Sequence, residues 1–590
     1  MTYVGKINAL DLCCRLRRRR SALINSWHAE VLMADENNPF TISKVRISGF
    51  KKIRNPFELT FNDLVTILVG DNGVGKSTIV EAINLALSGK YRDSPISRSV
   101  SEYLFNKDDV ALFTNSSQPY LAFPEVRIDV YLEGGDKATA ARLSGANCPE
   151  KTKKCGFSFT ISFDSEYLPE VEEASRSEHF DSLPIEYFEA SWTTFSGEKV
   201  TPRMLPITSV LINPNGDMRP SFGTDRATKS LIDTLDKDDR LALSQGARKG
   251  KDGFRQAVRN GEINQKLARS ASFKAGNPEL DVNLGSADSW YRDLTISLSG
   301  VPYENIGAGP QCLLQSEISF GSISGGSSKP TVVLIEEPEN HLSYGNLNRL
   351  LSLLSSYQGS QFLCTTHSSF VANKLGLENL VVIGSATDGI LSTTLKHLPE
   401  ATYSFFRKLP GFETLRLALV DKAILVEGPS DELIIQRAYQ DKYGRSPLAD
   451  GIDVISAGLA FERFLSIAQL IGKKVAIVTD NDGNPEKVAK KFEPYLPLEN
   501  IQAFFDSKAH DEPHDDYPTL RLDTLEATLV RSAGREALCS LLGRKDESDH
   551  SLIHYMETNK TDTALSIFDS DTSIAFPDYI TGAIEWIGEN

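Results

Sequence analysis

An α/β fold with two successive parallel sheets is predicted by three features of the chain. An apolar strand at Leu64–Val69 runs into a glycine-rich loop and then a helix spaced through Ile79, Ile83 and Leu87. A second apolar run, Val332–Ile335, ends in the paired acids Glu336 and Glu337. From Lys422 onward, strands alternate with helical segments, and two of the strands, Ala423–Val426 and Ile477–Val478, lead directly to carboxylates.

Composition bounds the organisation. The 590 residues are 40% apolar, enough for more than one core, and at ~100–200 residues per domain the chain divides into roughly three or four units. No stretch approaches the ~20 uncharged apolar residues of a membrane span, and the N-terminus shows no apolar signal core. No membrane association is expected, and the compartment expected is the bacterial cytoplasm. The seven cysteines are scattered and odd in number, as free thiols in a reducing compartment are. A net charge of −16 excludes indiscriminate wrapping of nucleic acid. It leaves room for local basic tracks, of which Lys229 to Arg269 is one candidate.

Along the chain, residues 1–38 read as a mobile N-terminal extension containing the run Arg17–Arg20. A nucleotide-binding unit is expected over 39–390, with strands at Ile42–Ile47 and Phe57–Phe61 ahead of the glycine loop. Residues from Tyr120 to Phe163 alternate as hairpins, broken by the charged loop Lys151–Lys154. A charged, helix-compatible insertion at about 225–285 has few large apolar residues, and the wider region 165–300 has no other assignable pattern. A Gly/Ser loop at Gly321–Ser328 precedes the acid-tipped strand; the strand Gln361–Thr365 and the helix Phe370–Leu375 follow it. A connector at 391–418 leads to a second unit over 419–590.

The chemistry is concentrated at these strand ends. Gly70-Asp71-Asn72-Gly73-Val74-Gly75-Lys76-Ser77, with Thr78 beyond it, matches the full phosphate-loop pattern. Its glycines let backbone N–H groups turn toward phosphate oxygens, Lys76 neutralises β/γ charge, and the Ser77 hydroxyl ligates Mg²⁺. Glu336 is placed to bind that Mg²⁺ and Glu337 to polarise an attacking water. His367, two residues past a strand, suits a sensor of the γ-phosphate. Asn305–Gln311, at a helix start 20-odd residues before the acidic strand, resembles a degenerate ABC signature, which implies that Gly309 and Gln311 contact the γ-phosphate of ATP held by a partner subunit.

Residues 42–90 and 300–375 resemble ABC-type ATPases of DNA repair and chromosome maintenance, which implies ATP sandwiched between two subunits and hence a homodimer or higher homo-oligomer. The insertion is a candidate for that contact. Val426-Glu427-Gly428-Pro429-Ser430-Asp431 and Asp480-Asn481-Asp482 resemble the strand-end Glu-Gly and D-x-D patterns of a TOPRIM domain, a Rossmann-like parallel sheet whose carboxyl edge gathers acids. An ABC-type ATPase followed by TOPRIM resembles the OLD (overcoming lysogenisation defect) family of endonucleases. Thr524-Leu525-Glu526 is similar to that family's hydroxyl-x-Glu, and Asn559–Ala564 to its segment supplying a basic residue, here Lys560.

The resemblance implies an ATP-binding, Mg²⁺- or Mn²⁺-dependent DNA endonuclease of bacterial antiphage defence, with one ion beside ATP, two at the acids, and a partner protein encoded nearby. Glu427, Asp480 and Asp482 would hold the first ion, and Asp431 and Glu526 the second; Glu427 is alternatively the general base. Lys560 would offset transition-state charge. Two other classes share the acids: an ATP-gated nucleic-acid scaffold that does not cut, and TOPRIM primases or topoisomerases.

Overall fold

The computed structural model describes residues 39–589 apart from 93, 117–120, 178–179, 213–231, 233–234, 263, 267–279, 283–293, 308, 312, 315, 319–328, 341, 357–359, 387–388, 409–413, 459, 482, 497, 511–515 and 518–519. The expected extension 1–38, the Gly/Ser loop, Lys229, Arg269 and Asp482 lie outside the described residues.

The first layer is antiparallel. Thr41–Ser48 pairs with Phe57–Thr60 on one side and Val126–Glu133 on the other, and Lys154–Phe163, Phe188–Thr194 and Lys199–Val200 extend the sheet. Phe57 and Leu59 are buried while Glu58 and Thr60 are exposed, the alternation of a sheet with one face in water. The hairpin pattern read over Tyr120–Phe163 is interrupted by a helix, Lys137–Leu143, whose first turn is capped by the Asp136 carboxylate accepting from Thr139 N–H at 2.9 Å.

The second sheet runs in the order Thr208–Ile212, Thr331–Glu336, Gln361–Thr365, Val65–Val69, Leu380–Ala386, Gly389–Thr394, parallel except for the last pair. Thr331–Glu336 and Gln361–Thr365 are buried at every position, as strands covered on both faces must be. The glycine loop leads into the helix Lys76–Ser88, and Gly75 at its start has φ +112°. A Cβ there would also meet Ile390 Cδ1 at 2.8 Å, so only glycine fits the turn.

The region without an assignable pattern supplies Phe188–Thr194 and Lys199–Val200 to the first sheet and Thr208–Ile212 to the second. The insertion carries a 24-residue helix, Lys237–Asn260, that buries none of its residues in this chain. The stretch Leu391–Phe412 is more regular than a connector pattern suggests. It contains the end of the strand Gly389–Thr394 and the helix Glu400–Lys408, whose Phe406 is fully buried.

The third sheet is four-stranded and wholly parallel, in the order Ile452–Ser456, Lys422–Val426, Lys474–Val478, Ile501–Phe504. On one face, Ile424, Val426, Ala476 and Val478 pack against the C-terminal helices Leu525–Ala533, Asp549–Thr558, Lys560–Asp569 and Asp578–Gly588. On the other, Leu425, Val475 and Ile477 share one core with Ile67, Val69 and Val382 of the second sheet, joined through Leu415 and Leu417 of the helix Thr414–Leu419. Arg416 of that helix clamps it to the third sheet with a two-toothed pair to Asp453, Nε and Nη2 each donating at 2.8 and 2.7 Å. Among the described residues no helix is long and apolar enough to cross a membrane.

Candidate nucleotide site and acid cluster

At the carboxyl edge of the second sheet the loop 70–78 is already shaped. Lys76 Nζ donates to the carbonyls of Gly70 at 2.8 Å and Asp71 at 2.9 Å, and Lys52 Nζ donates to Gly73 O at 2.8 Å. Burial lowers the Lys76 ammonium below its ordinary value, against the pull of Glu337, Asp71 and Glu339. Glu336 is pushed up to about 7 by burial, with the Ser77 hydroxyl bonded to it opposing the rise. Ser77 and Glu336, the two expected Mg²⁺ contacts, therefore meet.

Glu337 sits in the left-handed region at φ +42°, a strained conformation for a side chain of its size, costing on the order of 1–3 kcal/mol. Its N–H is held by Thr365 O at 2.9 Å, and its carboxylate accepts from Asn340 Nδ2 at 2.6 Å. His367 Nε2 lies 3.6 Å from Glu337 Oε1 and is buried without a hydrogen-bond partner. Burial lowers the His367 imidazole, chiefly with Lys76, so it is neutral near pH 7. Sequence reasoning left Glu339 without a role; its Oε1 accepts from Thr366 Oγ1 at 2.8 Å and from His367 N at 2.7 Å, and so orients the histidine. The orphaned Nε2 and the inward loop fit a triphosphate.

Gly309 and Gln311 are buried in this chain. Gln311 Nε2 donates to Tyr303 O at 2.6 Å and its N–H to Gly307 O at 3.1 Å, so this segment is engaged internally rather than presented outward.

The third sheet brings its acids to one edge. Glu427 follows Lys422–Val426, and Asp480 follows the neighbouring strand by two residues. Asp431 stands in the first turn of the helix Pro429–Tyr443, where its Oδ2 accepts from Gly428 N–H at 2.9 Å. Glu526 arrives from the start of Leu525–Ala533, a helix capped by Thr524, and is only 4% exposed. Lys560 opens the helix Lys560–Asp569, with Nζ 3.4 Å from Glu526 Oε1.

Their mutual influence is large. Asp480 is raised well above the carboxylate range by burial and then by Asp431, Glu427 and Glu526. Asp431 is pushed up to about 6 by burial and by Glu427, against the Gly428 N–H. Burial opposes the Lys560 ammonium, but Glu526, Asp480 and Asp431 together raise it. Five of the expected residues thus lie within electrostatic reach of one another. Asp482 lies outside the described residues, and among those described no three His, Cys, Asp or Glu side chains converge closely enough to hold an ion as they stand. The donor set nonetheless fits divalent cations: among the described residues one lysine faces the crowded carboxylates, and Glu526 Oε2 is buried with no hydrogen-bond partner there.

Three neighbours escaped sequence reasoning. Thr479, buried at the base of the cluster, donates its hydroxyl to Glu427 Oε1 and so ties the two acidic strand ends together. Tyr579, from the C-terminal helix, lines a crevice with Asp431, Thr479 and Asp480. Glu557 accepts from Thr524 Oγ1 at 3.5 Å and is raised by burial and by Glu526. Only the position of Thr479, next to the first Asp of D-x-D, was a usable signal.

Comparison with known proteins agrees with this layout. Residues 44–189 match an AAA domain model, and residues 320–373 match a second AAA domain model whose description adds the AbiEii toxin of a Type IV TA system. Residues 419–482 match the TOPRIM domain of overcoming lysogenization defect protein-like chains. A curated relative, the chromosome partition protein Smc of Halothermothrix orenii, is 26% identical over 115 residues, which is 20% of this chain and 9% of that protein's length. Among solved structures, the SMC head domain from Thermotoga maritima is similar with a TM-score of 0.28 and 14% identity, covering 60% of this chain and 98% of that one. The recombination mediator RecF with ATPγS bound is similar with a TM-score of 0.31 and 14% identity, covering 61% and 100%. The family models thus give an AAA-type ATPase region followed by a TOPRIM domain, in agreement with the glycine loop at the edge of the second sheet and the acids at the edge of the third.

Proposed function

We propose, from the premise that this chain is an OLD-family ATPase–TOPRIM protein, that it is an ATP-binding and ATP-hydrolysing, divalent-metal-dependent DNA endonuclease. The observation that carries the reading is the acid cluster itself: Glu427, Asp431, Asp480 and Glu526 are gathered at one sheet edge with a single lysine, an arrangement costly to a protein that did not bind cations there.

Glu427, Asp480 and Asp482 would hold one cation, and Asp431 and Glu526 a second. Bound divalent ions supply Lewis-acid activation of water and charge at the leaving oxygen. Glu427, with one oxygen fixed by Thr479, keeps the other for an ion or for the proton of the attacking water. Lys560 places its ammonium against the phosphate as negative charge builds. At the other site the loop N–H groups and Lys76 bind the triphosphate, Ser77 and Glu336 take its Mg²⁺, Glu337 polarises water, and His367 contacts the γ-phosphate. To reach the nucleotide of a second subunit, the segment holding Gly309 and Gln311 would exchange its internal bonds for that contact as the dimer closes, and the insertion would add to it. The biological setting we infer is the bacterial cytoplasm, in antiphage defence beside a partner protein encoded nearby.

The direct test is incubation of the protein with supercoiled plasmid and Mg²⁺ or Mn²⁺. Nicked product with free 3′-hydroxyl and 5′-phosphate ends is expected. A wild type that never nicks, or protein-linked ends, overturns the reading.

A further inference from the structure

We propose that Lys487, Lys490 and Lys491 of the helix Pro485–Phe492, together with Lys508, form a phosphate-binding rim that lays duplex DNA across the acid cluster; the choice of DNA rests on the nuclease reading above. One residue builds the rim. Asn481, 1% exposed and next in sequence to Asp480, donates from its side-chain amide to Asp506 O at 2.8 Å and Lys508 O at 2.6 Å. Its Oδ1 accepts from Gly483 N at 2.9 Å, and its backbone carbonyl from Asn484 N at 2.8 Å. Asn484 then caps the helix, its Oδ1 accepting from Lys487 N at 2.9 Å. A single buried amide thereby pins the loop carrying Lys508 and the start of the lysine helix to the turn that holds Asp480.

The lysines are arranged for a polyanion. Lys487, Lys490 and Lys491 are separated by three and four residues, so they share one side of the helix, and all are exposed, as is Lys508. Lys491 Nζ lies 5.3 and 5.1 Å from the Phe461 and Phe492 ring centroids, which anchors the rim's far end. Among the described residues Lys487, Lys490 and Lys508 have no ion-pair partner. From Lys487 to Lys491 the helix rises about 6 Å, enough to meet two successive phosphates at ~3.4 Å of axis each on one strand. In a chain of net charge −16, ammonium groups on a helix and a loop tethered through Asn481 to the Asp480 turn supply the local attraction that a polyanion requires.

The test is binding of a fluorescein-labelled duplex without divalent metal, followed by anisotropy over a salt series, for the wild type, for Lys487→Ala/Lys490→Ala/Lys508→Ala and for the matching triple Arg variant. The Ala variant is expected to bind at least about tenfold more weakly, with a log–log salt slope shallower by about 2 to 3, while the Arg variant keeps both. ATP turnover of the Ala variant, unchanged, reports an intact fold. Equal affinity and slope in wild type and Ala variant, or no duplex binding by the wild type, overturns the proposal. A lysine-dependent wild type that binds but never nicks would leave the rim standing and remove the nuclease reading instead.

Discussion

The two acid-bearing sheet edges use the same architecture and are in opposite electrostatic states. At the nucleotide edge the charged groups are held by hydrogen bonds with neutral partners within the chain. Lys76 rests on loop carbonyls, Glu339 holds His367, and Glu337 is tied by Asn340. At the other edge four carboxylates crowd around one partly exposed lysine, and Asp480 and Asp431 are raised by burial first and by the neighbouring acids second. The first site is a preshaped cradle that stores strain in Glu337, and the second is a knot of like charge relieved by cations. Ligand removal therefore leaves the first site largely intact and destabilises the second.

The largest expected effect is on cleavage. Asp480→Ala abolishes plasmid nicking while leaving ATP binding unchanged, and retained nicking in a gel assay would break the contrast at its centre. Lys76→Ala abolishes nucleotide binding by the cradle, read by fluorescent-nucleotide titration, without altering metal binding at the cluster. Lys560→Ala lowers the nicking rate by about 10²–10³, the usual cost of losing one charge stabiliser in a transition state.

A smaller effect follows from Asp431. Its folded value of about 6 stands above its ordinary 3.8, so its contribution to stability is full below the ordinary value and is lost as pH rises through about 6. The metal-free protein should melt lower at about pH 7.5 than at about pH 5.5, and Mg²⁺ should raise the melting temperature more at the higher pH. An equal Mg²⁺ shift at both would mean the cluster is not relieved by cations. Least in size, Thr479→Val should raise the Mg²⁺ concentration needed for half-maximal nicking, with Thr479→Ser restoring it; an unchanged requirement would free Glu427 from that tether.

Both edges were legible in sequence because buried parallel strands leave uninterrupted apolar runs, and an acid immediately after such a run is conspicuous. Val332–Glu336 and Ala423–Glu427 announce themselves in this way. What was hidden depends on partners distant in the chain. Phe188–Thr194 alternates Phe188, Ala190 and Trp192 with polar residues, a pattern too short to stand out in a charged region, and it is held as a strand by Lys154–Phe163 on one side and Lys199–Val200 on the other. Thr208–Ile212 is an edge strand recognisable only beside Thr331–Glu336. Tyr579 reaches the cluster from the last helix, about a hundred residues after Asp480, and no local spacing encodes that approach. Glu339 sits in the quoted acidic run, yet its role appears only when the loop after Gln361–Thr365 brings His367 to it.

The apolar core shared by Ile67, Val69 and Val382 with Leu425, Val475 and Ile477 has a consequence for how the molecule comes apart. Cutting the chain within Thr414–Leu419 would bare an oily face on each fragment, so neither half makes a well-behaved protein by itself. The two sheets should instead lose their structure in one cooperative calorimetric transition, and amides of Val65–Val69 and Lys474–Val478 should exchange with deuterium at a common, slow rate.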